Sequence, residues 1–130
     1  MPATYLDASA IVKLVIEEPE SAALRRYVRR RTPVVSSALA RTEVLRALLL
    51  EGVAGLARGR AVLAKIDLVR VTDRVLDAAG TLLPPDLRSL DAIHLASARL
   101  LGRDLRSIVT YDRRMVDAAR QVGLSTASPS

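Results

Sequence analysis

The chain has 130 residues, half of them hydrophobic, and its 20 lysines and arginines exceed its 14 acids to give a formal net charge of +6. This length and composition predict a single domain over residues 1–130, with about 126–130 as a flexible tail. The absence of cysteine excludes disulfides and cysteine-based sites, and no apolar run reaches the ~20 residues of a membrane span, so we expect a cytoplasmic protein with no membrane contact.

Strands and helices alternate in the first half of the chain. The periodicity predicts a buried strand at 4–6, a helix at 9–16, an arginine-rich helix at 20–31, a strand at 33–36, a long helix at 37–51 closed by Gly52, and a shorter helix at 56–65.

The same alternation continues in the second half. It predicts a strand at 68–72, a helix at 73–82 ended by two prolines, a helix at 89–101, a strand at 107–111, a helix at 113–121, and an edge strand at 124–126. The pattern as a whole predicts an α/β three-layer sandwich around a mostly parallel sheet of four to five strands. In such sheets, ligands bind at the carboxyl ends of the strands.

Four of the acids have unusual surroundings. Asp7 ends the first predicted strand, and Asp112 follows the strand at 107–111. Asp91 lies early in a helix that is apolar nearly all round. On a wheel of about 100° per residue, Glu43 falls inside an apolar arc formed by Leu39, Ala40, Val44, Ala47, Leu48 and Leu50. An acid on the buried side of a helix is costly unless it is paired or binds a cation.

Each of these acids also has a structural interpretation. Asp7 and Asp112 precede helices, where aspartate is a favoured N-cap. Asp91 complements a helix dipole, and Glu43 has many arginines with which it can pair. The four together favour a site, because strand ends and the following helix starts share one edge of a parallel sheet. Carboxylates crowded at that edge repel one another unless a cation lies between them, and oxygen ligands select Mg²⁺ or Mn²⁺.

The basic residues indicate a partner. Only Lys13 and Lys65 are lysines, and the other basic residues are arginines, whose planar forks match phosphate oxygens. A nucleic acid is therefore the leading expectation, with a bias in genome composition as the alternative. An acidic metal cluster in a basic chain is what a phosphodiesterase requires.

Four segments carry a resemblance to a known family. They are LDASAIVKL with Asp7, the helix with Glu43, LDAIHLASA with Asp91, and VTYDRRM with Asp112. Together they resemble the PIN-domain ribonucleases, and most closely the VapC toxins of bacterial toxin–antitoxin pairs. The likeness covers almost the whole chain, in order and at the usual spacing.

The resemblance implies both a site and a function. It implies a sheet ordered 3-2-1-4-5 and a Mg²⁺- or Mn²⁺-dependent endoribonuclease that leaves a 5′-phosphate and a 3′-hydroxyl. Asp7, Glu43 and Asp91 match the principal metal ligands, and Asp112 matches a fourth acid that often binds through water. Ser9 and Thr110 match the supporting hydroxyl residues. It further implies a homodimer silenced by a cognate VapB-type antitoxin.

Three other features admit two interpretations each. His94, the only histidine, is either a general acid or a hydrogen-bond partner of the Asp91 carboxylate on the same helix face. The run Arg25–Arg31 either grips RNA phosphates or forms a solvated helix face. Leu45 and Leu49 fall outside the main apolar arc and suggest a surface for a dimer partner or an antitoxin.

Two other functions remain as alternatives. A PIN-like domain that binds RNA or a partner without cutting would have no need of four inward carboxylates. A phosphorylatable receiver domain has a similar size and pattern. It would need a second acid beside Asp7 and a lysine after a late strand, and the sequence supplies neither.

Overall fold

A parallel sheet of five strands runs through the middle of the molecule, in a computed structural model that describes residues 1–130. The strands are β1 (Ala3–Leu6), β2 (Val34–Ser37), β3 (Asp67–Val69), β4 (Leu105–Val109) and β5 (Thr126–Ala127). Their spatial order is β3-β2-β1-β4-β5, and every pair is parallel. This confirms the predicted α/β class and the order that the resemblance implies.

Helices cover both faces of the sheet. They are α1 (Ala8–Val15), α2 (Ser21–Arg29), α3 (Leu39–Ala47), α4 (Gly52–Leu63), α5 (Asp73–Gly80), α6 (Ser89–Arg99) and α7 (Arg113–Gln121), with short 3-10 turns at Leu49–Glu51 and Gly102–Asp104. None of these helices is long and apolar enough to cross a bilayer.

The core lies in two layers because side chains alternate along each strand. Leu6 and Val109 belong to the cluster that packs beneath α1 to α4, whereas Tyr5 and Ile108 belong to the cluster beneath α6 and α7. All four residues of β1 are buried, as a central parallel strand covered on both faces requires. The ends of β1 and β4 are therefore held rigidly side by side.

The predicted helix at 37–51 is wrong at its C-terminal end. Helix α3 stops at Ala47, a 3-10 turn follows, and Gly52 adopts a positive φ of 72° that lets the chain turn into α4. Leu50 is consequently 99% exposed and does not belong to the buried arc, from which only Ala40, Val44 and Leu48 are buried.

The end of the chain differs from the predicted flexible tail at 126–130. The edge strand predicted at 124–126 is found further along the chain, at Thr126–Ala127, where it forms β5 and pairs with β4. The Ser128 hydroxyl donates to the Thr110 carbonyl at 2.6 Å, and the Tyr111 hydroxyl donates to the Pro129 carbonyl at 2.7 Å. The physical reason is backbone hydrogen bonding along the open edge of β4, which an apolar pattern does not reveal.

Candidate active site

Asp7 lies directly after β1 and caps α1. Its Oδ1 accepts hydrogen bonds from the Ser9 hydroxyl at 2.7 Å and from the Ala10 amide at 3.0 Å. Its Oδ2 accepts one from the Thr110 hydroxyl at 2.5 Å. A carboxylate offers about four acceptor positions, so one position on Oδ2 remains for a further ligand. The predicted cap and a ligand role are therefore compatible.

The Asp7 carboxyl group is only 5% exposed, and this burial has an electrostatic consequence. Burial raises its pKa above the ordinary aspartate value, because the charged form loses its hydration. The hydrogen bonds from Thr110, Ser9 and Ala10 and the proximity of His94 lower the pKa by less than burial raises it. The ionised carboxylate is thus held in a place where a cation would be favourable.

Thr110 links Asp7 to Asp112 across the ends of the two neighbouring strands. Its hydroxyl donates to Asp7 and accepts a hydrogen bond from the Asp112 amide at 3.1 Å. Asp112 caps α7, since its Oδ1 accepts from the Arg114 amide at 2.9 Å. The structural interpretation of Asp112 as an N-cap is therefore confirmed as well, while its Oδ2 points to another partner.

That partner is Arg88, which sequence reasoning missed. Its Nε donates to Asp91 Oδ2 at 3.2 Å, and its Nη2 donates to Asp112 Oδ2 at 3.3 Å. Arg88 is the N-cap residue of α6, and its side chain is 66% exposed. The contact between Arg88 and Asp91 has an i, i+3 spacing that could have been noticed, but the contact with Asp112 spans 24 residues and leaves no sequence signal.

Glu43 is held by His94, so the pairing of His94 with Asp91, one of its two possible roles, is not found. His94 Nε2 lies 2.5 Å from Glu43 Oε1, and His94 Nδ1 lies 2.8 Å from the Tyr5 hydroxyl. His94 is buried because the ring turns toward the sheet, where it meets the Tyr5 ring edge-on with centroids 5.9 Å apart. Asp91, one turn earlier on α6, faces Arg88 instead.

His94 bridges Tyr5 and Glu43 with its two ring nitrogens. Burial raises the pKa of the Tyr5 phenol, so the hydroxyl stays protonated beside His94 Nδ1. The other ring nitrogen, Nε2, forms a hydrogen bond with Glu43 Oε1. His94 thereby orients Glu43 and leaves its Oε2 without a hydrogen bond.

The structure thus relates the four predicted acids in two ways. Asp7, Asp112 and Asp91 belong to one network through Thr110 and Arg88, and Glu43 is attached to α6 through His94. In their present positions no three acid or histidine side chains form a group that could hold a metal ion. Their role as metal ligands stays a prediction.

The donor chemistry nevertheless fits a hard cation. Free acceptor positions remain on Asp7 Oδ2, Glu43 Oε2 and Asp91 Oδ1, and all of them are carboxylate oxygens. Asp91 and Asp112 share the single positive charge of Arg88, whose side chain is exposed. Movement of this guanidinium would free both carboxylates without any change in the backbone.

Comparison with known proteins relates the whole chain to one family. A family model described as PIN domain matches residues 4–121. Ribonuclease VapC46 of Mycobacterium tuberculosis is 61% identical over 130 residues, which cover 100% of both chains.

Solved structures share the fold. A toxin–antitoxin complex from Klebsiella pneumoniae matches with a TM-score of 0.75 at 18% identity and covers 98% of each chain. VapC20 of Mycobacterium tuberculosis, described as a toxin that cleaves the sarcin–ricin loop, matches with a TM-score of 0.74 at 18% identity, covering 97% of this chain and 99% of its own.

Proposed function

Because the chain belongs to the PIN-domain family and, within it, to the VapC ribonucleases, we propose that it is an endoribonuclease and the toxin of a toxin–antitoxin pair. The observation that carries this proposal is the buried Asp7 carboxylate at the end of β1, linked through Thr110 to Asp112 at the end of β4. A carboxylate that costs stability at this edge needs a functional reason.

We further propose that Asp7, Glu43 and Asp91 hold Mg²⁺ or Mn²⁺, with Asp112 as a fourth acid acting through water. The support is the set of free carboxylate oxygens described above and the absence of cysteine from the chain. When bound, such an ion activates a water molecule and polarises a phosphoryl oxygen, so that the phosphodiester bond is hydrolysed.

The surrounding residues position these acids. The hydroxyls of Ser9 and Thr110 fix both oxygens of Asp7, so that its remaining acceptor position has one direction. The buried His94 ring likewise fixes one oxygen of the Glu43 carboxylate through a hydrogen bond. Arg88 bridges Asp91 and Asp112 in the absence of metal, and its release would place a guanidinium beside the negatively charged substrate.

RNA is the proposed substrate, and the charge of the protein supports it. A net charge of +6, to which arginine contributes most of the positive charges, favours a polyanion. We propose the cytoplasm as the location of the enzyme. The sequence resemblance to VapC ribonucleases is the reason to choose RNA over DNA.

Two partners complete the proposal. The likeness to a toxin–antitoxin complex supports a VapB-type antitoxin. The exposed apolar side chains at the start of α4 support a homodimer: Leu49 is 54%, Leu50 99% and Val53 86% exposed. Adjacent apolar side chains with this exposure are typical of a protein–protein surface.

The test is cleavage of RNA by the wild-type protein and by Asp7→Asn, in the presence of Mg²⁺ or Mn²⁺ and after chelation. Asp104→Asn is the matched control, because it makes the same charge change in an exposed turn before β4. Cleavage should be lost in Asp7→Asn and on chelation, and retained in Asp104→Asn. Wild-type protein that binds RNA but never shortens it would instead indicate the non-catalytic alternative.

A further inference from the structure

We propose that a groove at the C-terminal end of α2 is a second RNA-binding site, which holds backbone phosphates away from the acids. We call it the arginine groove; its volume is about 430 Å³ and it is lined by Ala23, Arg26, Tyr27, Arg29, Arg30, Arg31, Pro129 and Ser130. The proposal rests on the proposed function, since it extends how the same enzyme recognises RNA.

The charges in the arginine groove are unpaired. Ion pairs in the chain involve Lys13, Arg25, Arg88 and His94, and none of the four groove arginines. The contrast with Arg25 on the same helix is direct, because Arg25 makes a two-pronged contact with Glu17 at 2.8 and 3.0 Å. Four guanidinium groups that line one concave surface repel each other until an anion enters.

One of these arginines is already held in place. The Arg31 guanidinium lies over the Tyr27 ring, 3.9 Å from its centroid, and its Nη1 donates to the Tyr27 carbonyl at 3.1 Å. Tyr27 is itself fixed by a 3.2 Å hydrogen bond between its hydroxyl and that of Ser107 in β4. The remaining N–H groups of Arg31 are therefore presented without the entropic cost of ordering a free side chain.

The position of the groove separates it from the acids. Thr4, near the start of β1, donates from its hydroxyl to the Arg31 carbonyl at 2.8 Å and from its amide to the Pro33 carbonyl at 2.9 Å. The Arg31 end of the groove thus lies beside the amino ends of β1 and β2, whereas Asp7 follows the carboxyl end of β1. The other end of the groove reaches Pro129, whose carbonyl accepts a hydrogen bond from the Tyr111 hydroxyl beyond the carboxyl end of β4. Strands of this length span about 13 Å, so a phosphate held at Arg31 is about that far along the sheet from Asp7.

The helix dipole alone does not account for this arrangement. The C-terminal end of α2 attracts cations, and Arg26 and Arg29 in its last turn satisfy that preference. Arg30 and Arg31 add two more charges beyond the helix. The groove offers no open aromatic face for base stacking, since Arg31 covers the Tyr27 ring. It would therefore bind the backbone and show little preference for base sequence.

The test uses the full chain with Asp7→Asn, which prevents cleavage. The groove variant carries Arg26→Gln, Arg29→Gln and Arg30→Gln, and leaves Arg31 because of its contact with Tyr27. A control with the same charge change carries Arg58→Gln, Arg74→Gln and Arg120→Gln, three exposed arginines on other helices. Binding of a transfer-RNA-sized RNA and of a trinucleotide is measured by fluorescence anisotropy over a series of salt concentrations.

The groove variant should bind the large RNA about tenfold or more weakly near physiological salt. Its slope of log affinity against log salt should fall by about 2, since each lost phosphate contact removes about 0.7. The trinucleotide can occupy only part of the path between the groove and the acids, so it should lose less affinity than the large RNA in the groove variant. Equal losses in the groove variant and the control would overturn the proposal, as would an unchanged salt slope for the large RNA in the groove variant.

The outcomes separate this proposal from the proposed function. A wild-type protein that cleaves RNA, together with a groove variant that keeps the full salt slope, contradicts the groove alone. A protein that binds large RNA through the groove but never cuts it contradicts the nuclease activity alone. Absence of any binding to the large RNA contradicts both.

Discussion

Replacement of Asp7 by asparagine should stabilise the metal-free protein while it abolishes cleavage. Asparagine keeps an oxygen for the Ser9 hydroxyl and the Ala10 amide, so the cap of α1 survives. What disappears is a negative charge in a residue that is 5% exposed, together with the acceptor of the Thr110 hydroxyl, since the amide nitrogen that replaces Oδ2 donates and does not accept. Because the pKa of Asp7 is raised in the folded state, the ionised form is less favourable there than in the unfolded chain.

The magnitude follows from two opposing contributions. Burial of an ion costs several kcal/mol after relaxation. The charge-assisted hydrogen bonds return about 1 kcal/mol more than neutral ones, and Asp7 accepts three of them. Since the direction of the pKa shift shows that burial outweighs these bonds, we expect a net stabilisation of about 1–2 kcal/mol in Asp7→Asn. For a chain of this size that raises Tm by about 4–7 °C.

The assay is thermal unfolding of both proteins in chelator across a range of pH. A raised carboxyl pKa destabilises the folded state above that pKa, and the penalty vanishes as pH falls through it. The advantage of Asp7→Asn should therefore be largest near neutral pH and shrink on acidification. Glu17 and Glu20 have lowered pKa values, which make stability depend on pH in the opposite direction. Because both proteins contain these two residues, their contribution cancels in the difference between the two unfolding free energies.

Two results would refute this reasoning. One is an Asp7→Asn protein less stable than wild type at neutral pH, which would mean that the hydrogen bonds exceed the cost of burial. The other is a stability difference that does not change with pH. Asp7→Ala serves as a further control: it removes the cap and leaves the Ala10 amide without its acceptor, so it should be about 1 kcal/mol or more less stable than Asp7→Asn.

Three further substitutions test other parts of the site and the surface. Arg88→Gln should increase the affinity for Mn²⁺ measured by calorimetry. It should lower the free energy of unfolding of the metal-free protein by less than about 1 kcal/mol. An unchanged Mn²⁺ affinity would show that Arg88 does not compete with the metal. His94→Leu should lower the cleavage rate about tenfold or more and lower the free energy of unfolding in urea by about 2 kcal/mol. The reason is that the Tyr5 hydroxyl and Glu43 both lose their hydrogen-bond partner. Full activity of this variant would exclude a positioning role for His94. Leu50→Asp should convert the proposed dimer to a monomer in light scattering and leave the circular dichroism spectrum of the folded chain unchanged, because the side chain is 99% exposed. A dimer that persists in this variant would place the interface elsewhere.

The order of elements was predictable because it depends on local signals. Apolar runs, prolines and glycines mark the strands and helices, and the helix at 113–121 is found at its predicted bounds. The predicted bounds of an element are wrong where contacts between residues distant in the sequence determine the structure. The break of α3 at Ala47 places Leu50 in solvent, and β5 is held by pairing with β4.

The location of the acids at one sheet edge was partly predictable for the same reason. Asp7 and Asp112 follow strands whose carboxyl ends coincide in any parallel sheet, and the structure joins them through Thr110. Glu43 and Asp91 were chosen from helical position alone. Their actual partners, His94 and Arg88, depend on side-chain directions that a helical wheel does not contain.

The sequence by itself therefore determined the fold class and was enough to propose the four acids as a site, because periodicity and the chemistry of carboxylates are properties of the chain. Only the tertiary structure decided how each acid is held. Burial raises the pKa of Asp7, the buried His94 contacts Tyr5 across 89 residues and Glu43 across 51, and Arg88 joins Asp91 to Asp112. Such contacts arise from the packing of α3, α6 and the sheet, which brings together residues that no local pattern connects.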